Sequence, residues 1–231
     1  MTVIDEAAWQ SLTGPHAHFA EGTGRALRYP ADVSPIMAVP PVQDDEVWAD
    51  LLALVGPDSL VLLAGEISAP PDGWTVEFSG DGVQLVATGA LRSEPFPEAV
   101  VLGAADVPEM LDLVARTKPG PFAPRTYQLG TYLGVRRNGS LIAMAGERLH
   151  PPGWTEISAV CTDPDFRGQG LASGLVRAVA HNIRERGETP FMHASAENIN
   201  AIRLYESIGF EVRRKVLFSA LRSPVPGRGK P

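Results

Sequence analysis

The chain has 231 residues, of which 27 are acidic and 20 are basic, so its net charge at neutral pH is −7. Apolar residues make up 44% of the sequence, which is typical of a globular protein and excludes a disordered chain. Residues 1–99 carry 15 acidic and 3 basic side chains, whereas residues 100–231 carry 12 and 17. The acidic half argues against nucleic-acid binding by the whole chain, because phosphates need clustered Lys and Arg, but the basic half suits a small polyanion.

The sequence also lacks the features of a membrane or secreted protein. No apolar run reaches the ~18–20 residues that a membrane helix needs, and the first residues are acidic where a signal peptide is basic. The single cysteine, Cys161, permits no internal disulfide. We therefore expect a cytoplasmic protein that has neither a membrane nor nucleic acid as its partner.

The first half is predicted to be an acidic α/β region over residues 1–99. Residues 44–55 combine an acidic start with apolar residues at helical spacing, and residues 60–64 suit a short buried strand. Two apolar runs in residues 74–88 flank Ser79-Gly-Asp-Gly82, which predicts a hairpin. Residues 91–98 are typical of a linker.

One short segment occurs twice. Pro70-Pro-Asp-Gly-Trp-Thr75 resembles Pro151-Pro-Gly-Trp-Thr155, and each copy precedes a predicted strand. Two interpretations stay open, namely a degenerate copy of the same half-fold and coincidence.

The second half has more regular patterns. A capping pattern at Asp106 opens a helix that ends before Pro119, and Asn138-Gly139 is the strongest short signal for a hairpin between two strands. The elements predicted after it are a strand over 155–162, a helix over 170–186, a strand over 191–194, a helix over 201–208, a strand over 211–221 and a flexible tail over 223–231.

The segment from Asp163 to Ser173 carries the clearest chemistry. It lies between a predicted strand and a long helix, and its glycines allow backbone N–H groups to point outward at the positive helix terminus. Such a turn can bind phosphate. A P-loop would need a lysine after the last glycine, and a dinucleotide fingerprint would need a third spaced glycine; neither is present.

Two motifs in this half resemble those of the GCN5-related N-acetyltransferases (GNAT). Arg167-x-x-Gly170-x-Ala172 is similar to the pyrophosphate loop of that superfamily, and Asn198-x-x-Ala-x-x-Leu-Tyr205-x-x-x-Gly-Phe210 is similar to its downstream segment. The resemblance is close over residues 155–221, extends back to about residue 100, and is greatest for the FR47-like group, which includes glycine-acyltransferase-type enzymes. It implies an α/β fold with a mixed central sheet over residues 100–222, preceded by an N-terminal α/β extension.

The resemblance also implies a binding site for acetyl-CoA, with no metal. The pantetheine arm would pair with the strand before the loop, and Asn198 would contact the same arm. The residues implied in binding the cofactor are Val160, Cys161 and Thr162 on the strand, Arg167, Gly168, Gln169, Gly170, Leu171, Ala172 and Ser173 on the loop, and Asn198 and Tyr205 beyond it.

Two residues are the implied catalytic groups. Tyr205 would protonate the departing thiolate, and Glu156, in the strand before the loop, would accept the amine proton directly or through a water. Simpler interpretations remain for both, because Tyr205 suits a half-buried aromatic and Glu156 suits an ordinary strand carboxylate.

Other reactive side chains have mainly structural interpretations. Cys161 has no clear His partner, which favours a buried strand residue over a nucleophile. His16 and His18 lack further ligands at metal spacing. His150 and His193 flank the predicted site, and His193 is a candidate for the acceptor pocket.

We therefore predict an N-acetyltransferase in which a primary amine attacks acetyl-CoA directly in a ternary complex. The acceptor, a small-molecule or peptide amine, is not identified by the sequence. The alternatives are a non-catalytic acyl-CoA-binding regulatory module and an acyltransferase that uses another acyl-CoA.

Overall fold

The fold was examined in a computed structural model, which describes residues 2–22, 24–65 and 67–225. The α-helices in these ranges are α1 (Ala7–Leu12), α2 (Asp45–Val55), α3 (Val107–Thr117), α4 (Leu171–Glu185) and α5 (Ile199–Ile208). The strands are β1 (Leu27–Arg28), β2 (Met37–Ala38), β3 (Leu60–Ala64), β4 (Thr75–Ala87), β5 (Val100–Leu102), β6 (Tyr132–Arg137), β7 (Ser140–Glu147), β8 (Trp154–Thr162), β9 (Thr189–Ser195) and β10 (Phe210–Arg222). None of these helices is both long enough and apolar enough to cross a bilayer.

Eight strands form one mixed sheet in the order β3-β10-β4-β9-β8-β7-β6-β5. β8 and β9 are parallel, and every other neighbouring pair is antiparallel. Helix α4 makes the crossover between β8 and β9, because parallel neighbours need a long connection. The predicted α/β fold with a mixed sheet and flanking helices is confirmed.

The two faces of the sheet are covered by different parts of the chain. Phe191 and Met192 are successive residues of β9, so their side chains lie on opposite faces. Met192 belongs to the core beneath α4, whereas Phe191 packs with α1 and with Tyr29 from the first half. Residues 1–99 therefore supply part of the core of the face opposite α4, and α3 covers another part of it through Met110 and Leu113.

The first half also supplies strands to the sheet itself. β4 pairs with β9 on one side and with β10 on the other, and β3 pairs with the outer edge of β10. The start of the predicted linker, residues 91–98, is held against α4. Arg184 of α4 donates hydrogen bonds to the backbone oxygens of Thr88 and Leu91. The boundary placed at residue 99 thus does not coincide with a break in the sheet.

The hairpin predicted around Ser79-Gly-Asp-Gly82 is wrong, because residues 75–87 form the single strand β4. Its glycines are explained by close approach of aromatic rings. A Cβ on Gly82 would lie 2.2 Å from Cε2 of Phe218, and one on Gly80 would lie 2.5 Å from Cζ of Phe78. Glycine in a strand marks such contacts as well as turns.

The elements predicted in the second half are confirmed more closely. Asn138 and Gly139 have φ angles of 52° and 85° and join β6 to β7, as the hairpin signal predicts. Helix α5 ends at Gly209, which has a φ of 112°. The two similar segments precede β4 and β8, and whether they share an origin stays a prediction.

Ser223, the first residue of the flexible tail predicted over 223–231, is held in the fold. Ser223 is buried, its hydroxyl donates to the backbone oxygen of Gly56, and its hydroxyl oxygen accepts from the N–H of Ser59. Residues 226–231 of that tail lie outside the described residues.

Candidate active site

A cleft of about 940 Å³ opens where β8 and β9 separate. The two strands pair from Trp154–Thr189 to Ile157–Met192, and beyond that point their carboxyl ends line the cleft. The cleft brings together eleven of the residues that the sequence singles out, namely Val160, Cys161, Thr162, Arg167, Gly168, Gly170, Leu171, Ala172, Ser173, Asn198 and Tyr205. Gln169 and Glu156 are not among its lining residues.

The glycine loop at one end of the cleft has the conformation of an anion-binding loop. Gly168 and Gly170 have φ angles of 78° and 77°, which L side chains rarely adopt, and a Cβ at either would meet no atom within 4 Å. The backbone conformation, and not lack of space, therefore requires glycine here. Helix α4 begins at Leu171 directly after the loop, so its free N–H groups face the cleft.

Strand β8 carries a bulge beside the loop. Cys161 pairs with Met144 and Ser158 pairs with Gly146, so Ala159 and Val160 together oppose one residue of β7. Ala159 has a φ of 52°, the left-handed value that bulges often need. The bulge re-aims the backbone of the strand at the cleft. Thr162, a lining residue nearby, has a buried hydroxyl with no hydrogen-bond partner among the described residues.

Cys161 is a buried thiol on this strand. Burial raises its pKa to about 11, so the thiol stays protonated at neutral pH. A nucleophilic cysteine needs a lowered pKa. The interpretation as a buried strand residue is therefore favoured.

Tyr205 and Asn198 lie at the two ends of α5. Tyr205 is 7% exposed and lines the cleft, and burial raises its pKa to about 12, so its hydroxyl is protonated at neutral pH. Asn198 is the N-cap, since its Oδ1 accepts the backbone N–H of Ala201 at 3.2 Å. The cap uses the oxygen of this amide, which leaves the Nδ2 donor for a ligand.

Glu156 lies in a buried network. Its carboxylate accepts two hydrogen bonds from Arg148, at 2.8 Å from Nε and 2.7 Å from Nη2, and Nδ1 of His193 lies 2.8 Å from Oε1. Burial acts to raise the pKa of Glu156, but the charge and hydrogen bonds of Arg148, together with His193, outweigh it and hold that pKa well below its usual value. The Glu156 side chain is 0% exposed. A carboxylate stabilised in this way is a weak base and does not reach the cleft.

The hydrogen bonds of Gln84 orient the imidazole of His193. Nη1 of Arg213 donates to Oε1 of Gln84 at 2.6 Å, which fixes the orientation of the amide. The Nε2 of Gln84 then donates to the backbone oxygen of Ile4 at 2.7 Å and lies 3.1 Å from Nε2 of His193. This geometry suits a ring that accepts at Nε2 from Gln84 and donates from Nδ1 to Oε1 of Glu156.

The sequence analysis missed Arg148 and Gln84. For Gln84 the available signal was its position between the apolar residues Val83 and Leu85 in β4. Arg148 follows the charged Glu147 at the end of β7, and its spacing gave no such signal. His150 does not line the cleft. Its Nε2 lies 2.6 Å from Oε1 of Glu188. His16 contacts Tyr29 through Nδ1, and the described residues contain no group of three or more potential metal ligands.

The charges around the cleft are of one sign. Its lining residues in the described chain include Lys118, Arg148 and Arg167 but no Asp or Glu. Among the described residues, the acidic first half therefore contributes no carboxylate to the cleft lining. Basic lining residues together with a helix N-terminus fit a polyanion.

Comparison with known proteins agrees with this architecture. The sequence model of the family described as FR47-like protein matches residues 132–219. A solved structure of a protein assigned to the GNAT family from Novosphingobium aromaticivorans is 38% identical, covers 97% of this chain and 100% of its own, and superimposes with a TM-score of 0.89. That likeness includes the first half, which the family model does not match.

Curated relatives point to the same group. The N-alpha-acetyltransferase RimI of Mycobacterium tuberculosis is 30% identical over 128 residues, which cover 49% of this chain and 80% of RimI. The mycothiol acetyltransferase of Thermomonospora curvata is 32% identical over 141 residues, which cover 61% of this chain but only 45% of that protein. The chain thus spans less than half the length of this second relative.

Fold, cleft and relatives together define an acetyltransferase-type α/β protein. The chain belongs to the GCN5-related N-acetyltransferase superfamily and contains an FR47-like domain.

Proposed function

We propose that this protein transfers an acetyl group from acetyl-CoA to a primary amine by direct attack in a ternary complex. The observation that carries the proposal is a single cleft that joins the Gly168–Gly170 loop, the bulged strand β8 and the protonated hydroxyl of Tyr205. Its volume of about 940 Å³ is near the top of the range of roughly 300–1,000 Å³ for small-molecule sites, which supports simultaneous binding of two substrates.

Acetyl-CoA is the donor that this cleft suits. Its pyrophosphate would lie on the backbone N–H groups from Arg167 to Ala172, at the positive end of α4. The pantetheine arm would follow β8 at Val160–Thr162, where a bulge N–H can polarise the thioester carbonyl. The Nδ2 donor of Asn198 and the unpartnered hydroxyl of Thr162 are further groups for this arm.

The reaction needs one new bond and one broken bond. The amine nitrogen forms a C–N bond to the thioester carbon, and the C–S bond of the tetrahedral intermediate then breaks. Tyr205 gives its proton to the departing sulfur, and the phenolate recovers a proton from the ammonium nitrogen of the intermediate, directly or through water. The products are the N-acetyl amine and free CoA.

Glu156 is proposed here as a positioning residue and no longer as the base. It is buried behind Arg148 and His193, and its low pKa makes it a poor proton acceptor. A strong base is not essential, because Lys118 and Arg167 line the cleft and favour the neutral form of an amine that enters it. The amine gives up its extra proton to bulk water on entry and attacks as the neutral nucleophile, and the proton released after attack returns to Tyr205.

The test is release of free thiol from acetyl-CoA in the presence of a panel of primary amines, with the N-acetyl product identified by mass spectrometry. We expect thiol and acetylated amine in equal amounts. Binding of CoA without turnover on any amine would favour the non-catalytic acyl-CoA-binding module. Faster turnover of a longer acyl-CoA with the same amine would support an acyltransferase function but identify a donor other than acetyl-CoA.

A further inference from the structure

The cleft has an apolar wall at the end away from the glycine loop. We call Ile36, Leu62, Ala64, Phe78 and Phe218 the apolar wall; all five line the cleft. Ala64 pairs with Phe218 and Leu62 pairs with Ala220, so Leu62, Ala64 and Phe218 lie on one face of the sheet. Four of the five residues come from the first half, outside the region that the FR47-like family model matches.

The two rings of this wall lie over the two glycines of β4. Any Cβ on Gly82 would collide with the ring of Phe218, and any Cβ on Gly80 would collide with the ring of Phe78. The glycines of β4 therefore let both rings lie close to the backbone. Phe78 remains 58% exposed, although large apolar side chains gain free energy when a ligand covers them.

The described polar groups next to the wall present no carboxylate to the cleft. The ring centroid of Phe218 lies 6.1 Å from that of His193, and Arg148 lines the cleft beside it. Their carboxylate partner, Glu156, is 0% exposed. A second cation on the acceptor would meet Arg148 and no carboxylate among the described lining residues.

We propose, on the basis of the acetyltransferase function proposed above, that the acceptor is a primary amine whose one substituent is apolar and of aromatic size, with no second positive charge. The apolar wall covers the substituent, and the amine points along β9 toward the bulge of β8. A polyamine is disfavoured because a second ammonium group would be desolvated without a partner. A very short amine is disfavoured because it leaves the wall in contact with water.

The test compares 2-phenylethylamine, ethylamine and 1,4-diaminobutane by thiol release at saturating acetyl-CoA. We expect kcat/KM for 2-phenylethylamine to exceed the other two by at least about tenfold. A preference for ethylamine or for the diamine would overturn this inference and leave the proposed function intact. Absence of thiol release with every amine would instead contradict the proposed function.

Variants make the test specific to the wall. Phe78→Ala should lower the ratio of kcat/KM for 2-phenylethylamine over ethylamine by about fivefold or more, because it removes ring area without opening the core. Val101→Ala is the matched control, since Val101 is 73% exposed and lies on β5, at the opposite edge of the sheet from β3. An unchanged ratio in Phe78→Ala, or an equal fall in both variants, would overturn the inference.

Discussion

The side-chain amide of Gln84 lies 3.1 Å from Nε2 of His193, and this contact joins the first half of the chain to the cleft. Gln84 is on β4 and His193 is its direct partner on β9. Because Arg213 fixes the orientation of the amide, the contact also orients the imidazole. The arrangement of side chains in the cleft therefore depends on residues of the first half, which carries neither of the two acetyltransferase-like motifs.

We predict that Gln84→Met weakens both stability and turnover. The change leaves the backbone oxygen of Ile4, the guanidinium of Arg213 and Nε2 of His193 each short of a partner. Loss of buried hydrogen-bond partners costs about 1–3 kcal/mol for each group left unsatisfied. Urea unfolding and kcat measure the two effects. Gln128→Met, at an exposed position, is the control; equal effects in the two variants would contradict the role given to Gln84.

Tyr205→Phe is predicted to lower kcat by about 10²-fold while acetyl-CoA affinity is nearly kept, because the ring stays and only the proton donor is lost. Steady-state kinetics and calorimetric titration with CoA separate the two quantities. Turnover equal to that of the parent protein would remove Tyr205 from the mechanism.

Glu156→Gln tests the assignment of a positioning role. Removing one partner of the buried pair with Arg148 should destabilise the protein by about 3–5 kcal/mol. If Glu156 were the base, the variant would also lose the fall of kcat toward acidic pH that protonation of this carboxylate would cause. We expect kcat to fall but the shape of its pH profile to remain. If the variant does not fold, Glu156→Gln combined with Arg148→Met removes both charges and allows the same profile to be measured.

The same carboxylate predicts how stability depends on pH. The pKa of Glu156 is lower in the folded protein than its ordinary value, so the ionised form stabilises the fold. This contribution is fully present above the ordinary glutamate pKa and is lost as the pH falls below it. Urea unfolding at a series of pH values below 5 should therefore show a shallower loss of stability in the double variant than in the parent protein. A parallel loss in both proteins would contradict the assignment.

The part of the fold that could be predicted from sequence is the part with local signals. Asn138-Gly139 predicts its hairpin because only residues that tolerate positive φ fit that turn, and the segment from Arg167 to Ala172 predicts a loop before a helix for the same reason. The glycines of β4 misled the sequence analysis. Gly80 and Gly82 signalled a turn, whereas they accommodate the ring of Phe78, two residues earlier on the same strand, and the ring of Phe218, whose proximity only the fold reveals.

The candidate site, like the fold, was predictable from sequence only in part. Its backbone features follow from residue spacing within one segment, and eleven of the predicted residues line one cleft. The role of Glu156 was not predictable, because its chemistry depends on Arg148 and His193, which reach it across strands. Likewise, no spacing rule places β4 between β9 and β10, since such long-range pairing depends on the whole sheet.

Gly170→Ala is predicted to weaken CoA binding by about tenfold or more, because the left-handed conformation of the loop becomes strained and its N–H groups move. Gly139→Ala imposes similar strain, with a φ of 85°, at the turn between β6 and β7, and also has open space around its Cβ position. Calorimetric titration with CoA should show weak binding in the first variant and normal binding in the second. Equal losses would mean that general strain, and not the loop, controls affinity.

The central claim is direct acetyl transfer to an amine held in this cleft. The measurement that tests it most directly is mass spectrometry of the full chain incubated with isotope-labelled acetyl-CoA and a panel of primary amines. The account predicts a labelled N-acetyl amine in amounts equal to the free CoA released, with Tyr205→Phe forming it far more slowly. Tight binding of CoA with no labelled amine from any member of the panel would contradict it.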